Sequence, residues 1–312
     1  MSDMPLHLVR CVSVTQNGRC LGSIVQNGGN LSCASCGKSY SIYRGIPILH
    51  ATEPQAKPDK WYEAMYAGRS RTRELESDYL RKERQFVTDF AALHSLAGPC
   101  LEVGCGVGLF AECVPQFIGL EYSVQALCVH GFESFHRVSG DASVLPFSTG
   151  SMQLVFSFNT LEHVPQIQPA FSEIDRVCAP GGFVILKPAW HCTRYVTELI
   201  PVRAYSQLNL RQKLVKALLP LIRSKPYKLL AKLPWRAWRR LRSTGPSVLK
   251  YRKLEPYQGA NWISDADAEV SLDCHEGILY FVSRGYECLS HSSVFRQLLA
   301  GHDIVVIRKP SA

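Results

Sequence analysis

Leu101-Glu102-Val103-Gly104-Cys105-Gly106-Val107-Gly108-Leu109-Phe110 decides the fold of this 312-residue chain. An apolar run ending in Gly-x-Gly-x-Gly reads as a strand, a tight turn and the start of a helix. Glycines permit the turn and let a ligand lie against bare main chain. The dinucleotide fingerprint would place its third glycine at 109, where leucine stands, so the stretch departs from a nicotinamide signature. Working outward, further apolar runs alternate with helical patterns as in a parallel α/β sheet. They are Phe117–Leu120, Leu154–Phe158 and Phe183–Leu186.

Acidic residues close the neighbouring runs. Nineteen residues after Glu102 the next run ends Gly119-Leu120-Glu121-Tyr122-Ser123, and twenty further on Ser139-Gly140-Asp141-Ala142 precedes Leu145-Pro146-Phe147. A carboxylate at the second strand end can accept hydrogen bonds from both hydroxyls of a ribose. Three carboxylates at successive strand ends line one crevice, where open α/β sheets bind ligands.

Two more motifs stand downstream: Asn159-Thr160-Leu161-Glu162-His163-Val164, and Glu173-Ile174-Asp175-Arg176-Val177 ahead of Pro180-Gly181-Gly182. With them, the run from Cys100 to Pro188 resembles the class I S-adenosylmethionine-dependent methyltransferases, in particular the small-molecule group called type 11. The resemblance implies a Rossmann-like α/β fold, a seven-stranded sheet that ends in an antiparallel hairpin. Asp273 as a helix cap, a helix over Glu276–Arg284 stopped by Gly285, and strands at Tyr286–Ser290 and Asp303–Arg308 fit that ending. It also implies S-adenosyl-L-methionine as cofactor. Glu102, Gly104, Gly106 and Gly108 would face its methionine part, Glu121 its ribose, and Asp141 with Ala142 its adenine, and Cys105, Tyr122 and Asn159 would complete the site. Met152-Gln153 departs from the family's usual Phe-Asp and is expected to touch packing and not the ligand.

A sulfonium methyl is already activated, so the protein must place the acceptor in line, about 3 Å from the methyl carbon, and exclude water. A hydroxyl acceptor also benefits from a base whose pKa sits near working pH. By the family layout that base is His163, with Glu162 to orient it or bind the acceptor and Asn159 to hold the acceptor. The other reading of His163 is structural, a histidine at a helix start.

Cys33-Ala34-Ser35-Cys36-Gly37-Lys38 is a zinc knuckle by spacing and trailing glycine. With Tyr40 to Leu49 it resembles the zinc ribbons of small activators of tRNA and rRNA methyltransferases. Their first knuckle is Cys-x-x-Cys, whereas here Cys11 and Cys20 are separated by eight residues containing Asn17-Gly18. Either a loop closes a four-cysteine structural zinc site from Cys11, Cys20, Cys33 and Cys36, or the ribbon survives without metal.

Hydrophobic residues make up 46% and charged residues 20% of the chain, which excludes a disordered polymer. No apolar run approaches the roughly 18–20 residues of a spanning helix. Met1-Ser2-Asp3-Met4-Pro5 lacks a signal-peptide layout, and the 12 scattered cysteines suit reduced thiols, so a cytoplasmic location is expected. The net charge of +9 is uneven. Between Arg203 and Lys253 stand 15 Lys/Arg and no Asp or Glu. Leu214, Leu218, Leu219 and Ile222, then Leu229, Leu230 and Leu233, then Trp235, Trp238 and Leu241 recur there at three- and four-residue spacing, and prolines break the segment into short helices. Such helices suit the anionic inner face of a membrane, or a phosphate backbone, or plain packing on the catalytic domain.

The expected organisation is a zinc-ribbon-like module at 1–50, helical linker and cofactor-capping helices at 51–97, and a methyltransferase domain at 98–312 with a basic helical insertion at 190–270. The expected function is methyl transfer from S-adenosylmethionine to a hydroxyl of a small molecule or glycan, including a lipid-linked one. The alternatives are an RNA base methyltransferase using ribbon and basic block, and a non-catalytic scaffold. No RNP pattern and no Asn-Pro-Pro-Tyr-like loop supports RNA.

Overall fold

The computed structural model describes residues 5–16, 18–51 and 59–311. Met1 to Met4, Asn17 in the Cys11–Cys20 gap, residues 52–58 of the expected linker and the side chain of Leu229 lie outside the described residues. The chain forms two compact units. One comprises residues up to Phe158 with Pro169–Val184 and the last two residues, the other Asn159–Gln168 and Ile185–Pro310.

The first unit begins with an antiparallel three-stranded sheet of β1 (Ile24–Asn27), β2 (Asn30–Cys33) and β3 (Ser39–Tyr40). β4 (Ile46–Leu49) follows, then three helices, α1 (Asp59–Tyr66), α2 (Arg71–Glu76) and α3 (Arg81–Leu93). The chain then builds β5 (Cys100–Val103), β6 (Phe117–Glu121), β7 (His136–Gly140), β8 (Met152–Phe158), α4 (Ile167–Val177) and β9 (Cys178–Lys187). In space the strands lie in the order β9, β8, β5, β6, β7, β4, and then Ile42–Tyr43. β8, β5, β6, β7 and β4 run parallel. From β5 the chain winds outward through β6 and β7 and then returns to β8 on the other side. That reversal puts a topological switch at the carboxyl end of β5.

β5 is buried at all four positions, as a central parallel strand covered on both faces should be. Val87, Phe90 and Ala91 of α3 are buried, with Phe90 edge-on to Phe183 of β9 at 5.2 Å between ring centres. β4 and Ile42–Tyr43 extend the sheet beyond the strands expected from the methyltransferase pattern, with Ile48 opposite Ser139 and Leu49 opposite Gly140. The helix expected after the glycine turn does not form. Turn bonds close it instead, from Gly108 N–H to Cys105 O, Ala111 N–H to Gly108 O and Cys113 N–H to Phe110 O. Gly104, Gly106 and Gly108 all have positive φ, and Pro115 disfavours helix at Val114, leaving too few residues for a regular helix between them. Gln153 satisfies main chain: its Oε1 accepts from the amides of Ala97 and Gly98, at 2.9 and 2.5 Å.

The second unit contains α5 (Leu210–Arg223) and α6 (Lys225–Leu241), joined at Ser224, then β10 (Tyr251–Lys253), β11 (Val270–Leu272) and α7 (Cys274–Val282). β12 (Glu287–Cys288) and β13 (Val305–Arg308) close it as an antiparallel pair. Asn209 and Gln212 form a reciprocal cap that starts α5. Asp273 caps α7 by accepting from the His275 amide at 2.9 Å. The basic segment is not wholly helical, because β10 pairs antiparallel with β11 and Pro246 and Pro256 flank that strand without interrupting it. Two of the segment's cations are structural. Arg236, 3% exposed, lies 2.7 Å from Asp273, and Arg239 grips both oxygens of Glu276 at 2.8 Å.

Candidate functional site

The carboxyl ends of β5, β6 and β7 are nearly level. Val103 pairs with Leu120, and Glu121 with Ser139. The glycine turn after β5 is held down by main chain, the amides of Gly104 and Cys105 both bonding to Leu120 O. Arg71, 6% exposed, pins it from above: its guanidinium donates to Gly108 O and Gly131 O and pairs with Glu112. A Cβ at Gly108 would stand 2.3 Å from the ring of Phe132, so only glycine fits there. At Gly106 a Cβ would meet the Tyr66 hydroxyl at 3.4 Å, which places the end of α1 over the turn.

Three carboxyls converge on this edge in different states. Glu102 is buried, and its Oε2 has no hydrogen-bond partner among the described residues. Burial pushes its carboxyl well above the usual carboxylate range, and nearby Glu121 adds to the effect. Glu121 is also raised by burial, although it accepts from the amides of Gly106 and Ser123 at 3.0 Å each. Asp141 Oδ1 accepts from the amide and hydroxyl of Ser143, both at 2.7 Å. His50 bonds to Ser139 Oγ at 2.8 Å and meets the Tyr122 ring edge-on at 5.1 Å, and burial lowers its pKa. Glu102, Gly104, Cys105, Gly106, Gly108, Glu121, Tyr122, Asp141 and Ala142 thus share one edge of the first unit. Arg71, Tyr66 and His50 carry no signal in the sequence pattern. They come from segments far from the glycine turn, where only a three-dimensional register assigns them a place.

Asn159, Glu162 and His163 belong to the second unit. Asn159 has φ +48°, a left-handed conformation that asparagine tolerates, and its amide bonds to Lys187 O at 3.0 Å. Leu161–His163 is a 3-10 turn. His163 lies between two carboxylates, with Nδ1 3.2 Å from Asp267 Oδ2 and Nε2 3.7 Å from Glu162 Oε1. The other Asp267 oxygen accepts from Trp262 Nε1 at 2.8 Å. Burial works to lower the His163 pKa, but Glu162 and Asp267 outweigh it and the pKa rises above its ordinary value. Glu162, 3% exposed, is itself pushed up by burial. Asp267, which no sequence motif marks, supplies the second carboxylate.

Cys11, Cys20, Cys33 and Cys36 come together with all four sulfurs within 4.8 Å of one another. Cys11 and Cys36, and Cys20 and Cys33, are 3.6 Å apart. Sulfurs about 2.3 Å from a tetrahedral zinc stand about 3.8 Å apart, so the donor set fits that ion. The irregular half is a hairpin: Val14–Thr15 pairs with Gly18–Arg19, and the amides of Cys20 and Cys11 bond to Ser13 O and Gly22 O. Gly22 is required there, because a Cβ would lie 2.7 Å from Cys33 Sγ. The amides of Ser35 and Cys36 point at Cys33 Sγ, at 3.3 and 3.4 Å.

Residues 101–186 match the protein family described as a methyltransferase domain. Among curated proteins, "Sterol 24-C-methyltransferase ERG6B" of Gibberella zeae is 32% identical over 95 residues, 26% of this chain and 25% of its own. "Probable S-adenosylmethionine-dependent methyltransferase" of Mycolicibacterium smegmatis is 31% identical over 121 residues, 36% of this chain and 47% of its own. Among solved structures, SAM-bound CalS10, an amino pentose methyltransferase of Micromonospora echinaspora, is 24% identical, covers 42% of this chain and 56% of that one, and has a TM-score of 0.33. The chain spans between a quarter and a half of the length of these curated relatives. The sheet order and the glycine turn define a Rossmann-like α/β class. Within it, residues 101–186 form a methyltransferase domain of the type 11 family. No helix among the described residues is long and apolar enough to cross a membrane.

Proposed function

We propose that this chain transfers a methyl group from S-adenosylmethionine to a hydroxyl of a small molecule or glycan, with a lipid-linked acceptor as the favoured case. The observation that carries the reading is Glu102, a buried carboxyl with an unpartnered oxygen beside three positive-φ glycines at the switch point. A cationic amino acid moiety supplies both the missing hydrogen bond and a countercharge there. Glu121 presents a carboxyl to a ribose, and Asp141 with Ala142 borders an adenine. When bound, the cofactor supplies an activated methyl on sulfur. The chain's own work is to hold the acceptor, exclude water and receive a proton. For the last, His163 has the right setting: Asp267 fixes Nδ1, and the paired carboxylates raise the ring's proton affinity toward working pH. Glu162 and Asn159 are the proposed acceptor contacts. Zinc bound by Cys11, Cys20, Cys33 and Cys36 would be structural, because four thiolates leave no open position.

A peripheral membrane site fits the basic segment. Leu210, Leu214, Leu221, Leu230 and Leu241 are more than half exposed, and Trp235 and Trp238 stack on each other at 4.8 Å with each over 40% exposed. Tryptophan among cations is favoured at a lipid interface.

Calorimetry with S-adenosylhomocysteine tests the cofactor reading. The intact chain is expected to bind it, Gly106→Val to abolish binding, and Glu121→Ala to weaken it by roughly 1–3 kcal/mol. An intact, folded chain that binds neither this product nor the cofactor rejects the reading.

A further inference from the structure

A cavity of about 660 Å³ lies wholly within the second unit, walled by α5, α6 and β10. Its size suits a compact organic ligand. One stripe of each helix faces it: Arg211, Val215 and Ile222 from α5, and Tyr227, Ala231 and Trp235 from α6. These residues make an aliphatic and aromatic wall with a cation at one end.

Charge is unevenly placed around it. Five cations line the cavity, Arg194, Arg211, Lys232, Lys250 and Arg252, against two carboxylates, Glu198 and Asp273. Both carboxylates are already engaged. Glu198 lies 2.6 Å from Arg194 and 3.9 Å from Arg211, while Asp273 takes Arg236 at 2.7 Å and Lys232 at 3.7 Å and also caps α7. Lys250 and Arg252 form no ion pair among the described residues, and both are exposed. Both line the cavity, with Tyr251 between them, and Arg252 stands opposite Ser271, which also lines it.

The helices that supply the wall also carry an apolar surface. Leu210, Leu214, Leu218 and Leu221 form a stripe along α5, from 42% to 85% exposed, one position around the helix from the residues lining the cavity. Cations without a carboxylate on one wall of the cavity, and exposed leucines on the helix that supplies another wall, match a ligand with an anionic head and an aliphatic tail. A nucleotide would use the cations and aromatic rings but leave the leucines unexplained.

We propose that this cavity binds the phosphate head of an amphiphile, gripped by Lys250 and Arg252, with its aliphatic chain laid along the α5 leucines. A phosphate oxygen accepts charge-assisted bonds from both cations, and arginine can present two at once. The inference deepens the lipid-linked acceptor reading and rests on it for the ligand's role, though not for its binding.

Calorimetry on the full chain decides, with decyl phosphate below its micelle-forming concentration, inorganic phosphate, decanol and adenosine monophosphate as probes. S-adenosylhomocysteine is measured in parallel. Decyl phosphate is expected to bind at least about tenfold more tightly than each of the other three probes. Lys250→Ala/Arg252→Ala, at exposed positions, should lose about tenfold for decyl phosphate and leave S-adenosylhomocysteine binding unchanged. Leu214→Ser/Leu218→Ser should bring decyl phosphate down toward inorganic phosphate. Equal affinity for inorganic and decyl phosphate marks a free-phosphate site and overturns the proposal, as do tighter binding of adenosine monophosphate or no binding of decyl phosphate. Loss of S-adenosylhomocysteine binding by the unaltered chain rejects the methyltransferase reading instead and leaves the decyl phosphate result legible.

Discussion

Gly108 shows how narrowly single residues are set. Its φ of +75° and the Phe132 ring, 2.3 Å from where a Cβ would stand, act together, so Gly108→Ala is strained in backbone and blocked in space. The variant is expected to lose roughly 1–3 kcal/mol in denaturant unfolding and to bind S-adenosylhomocysteine more weakly. An unchanged midpoint would show that Phe132 moves aside freely. His163 gives a prediction in pH. Its folded pKa is raised, so its interaction with Glu162 and Asp267 stabilises fully below the unfolded value of about 6.5 and fades as pH rises through the folded one. Melting curves between about pH 6 and pH 9 should therefore converge for wild type and His163→Gln at the alkaline end. A gap that widens with pH would contradict the assignment. At this scale the sequence is most readable where a residue's job is local. The glycines and strand-end carboxyls announce themselves by spacing, whereas Arg71, Tyr66, His50 and Asp267 take their roles from partners up to about a hundred residues away.

Elements are legible in proportion to how far apolar periodicity controls them. The strands from Cys100 to Phe158 and the Asp273-capped helix stand where the pattern puts them, give or take a residue or two, while β9 begins at Cys178, five residues ahead of its apolar run. The helix after the glycine turn does not, because three left-handed glycines and Pro115 overrule the apolar run Val107–Ala111. The Cys11–Cys20 spacing looks irregular only because a hairpin does there what a tight knuckle does elsewhere. For that element, elemental analysis of chelator-free protein is expected to give about one zinc per chain, and Cys33→Ser/Cys36→Ser to lose it together with several degrees of melting temperature. Metal-free protein that melts at the same temperature with and without added zinc would show a ribbon that stands on its hydrogen bonds alone.

For the whole molecule, the prediction concerns where the charge sits. Residues outside 203–253 carry 20 basic and 26 acidic side chains, so any anionic surface meets attraction from one segment and mild repulsion from the rest. Sedimentation with anionic vesicles should fall steeply with salt and fall further in Trp235→Ala/Trp238→Ala, each cation contributing at most on the order of 1 kcal/mol. RNA binding of equal strength, indifferent to the tryptophans, would favour the nucleic-acid alternative. The sheet also bears on how the chain is made. β4 is laid beside β7, about ninety residues later in the sequence, and closes a flank that would otherwise be an open parallel edge. During synthesis Cys36 leaves the ribosome about a hundred residues before Gly140. At ordinary elongation rates the four thiols therefore wait roughly 5–20 s before that flank exists. Any metal ion held by these thiols would thus be captured before the sheet is complete.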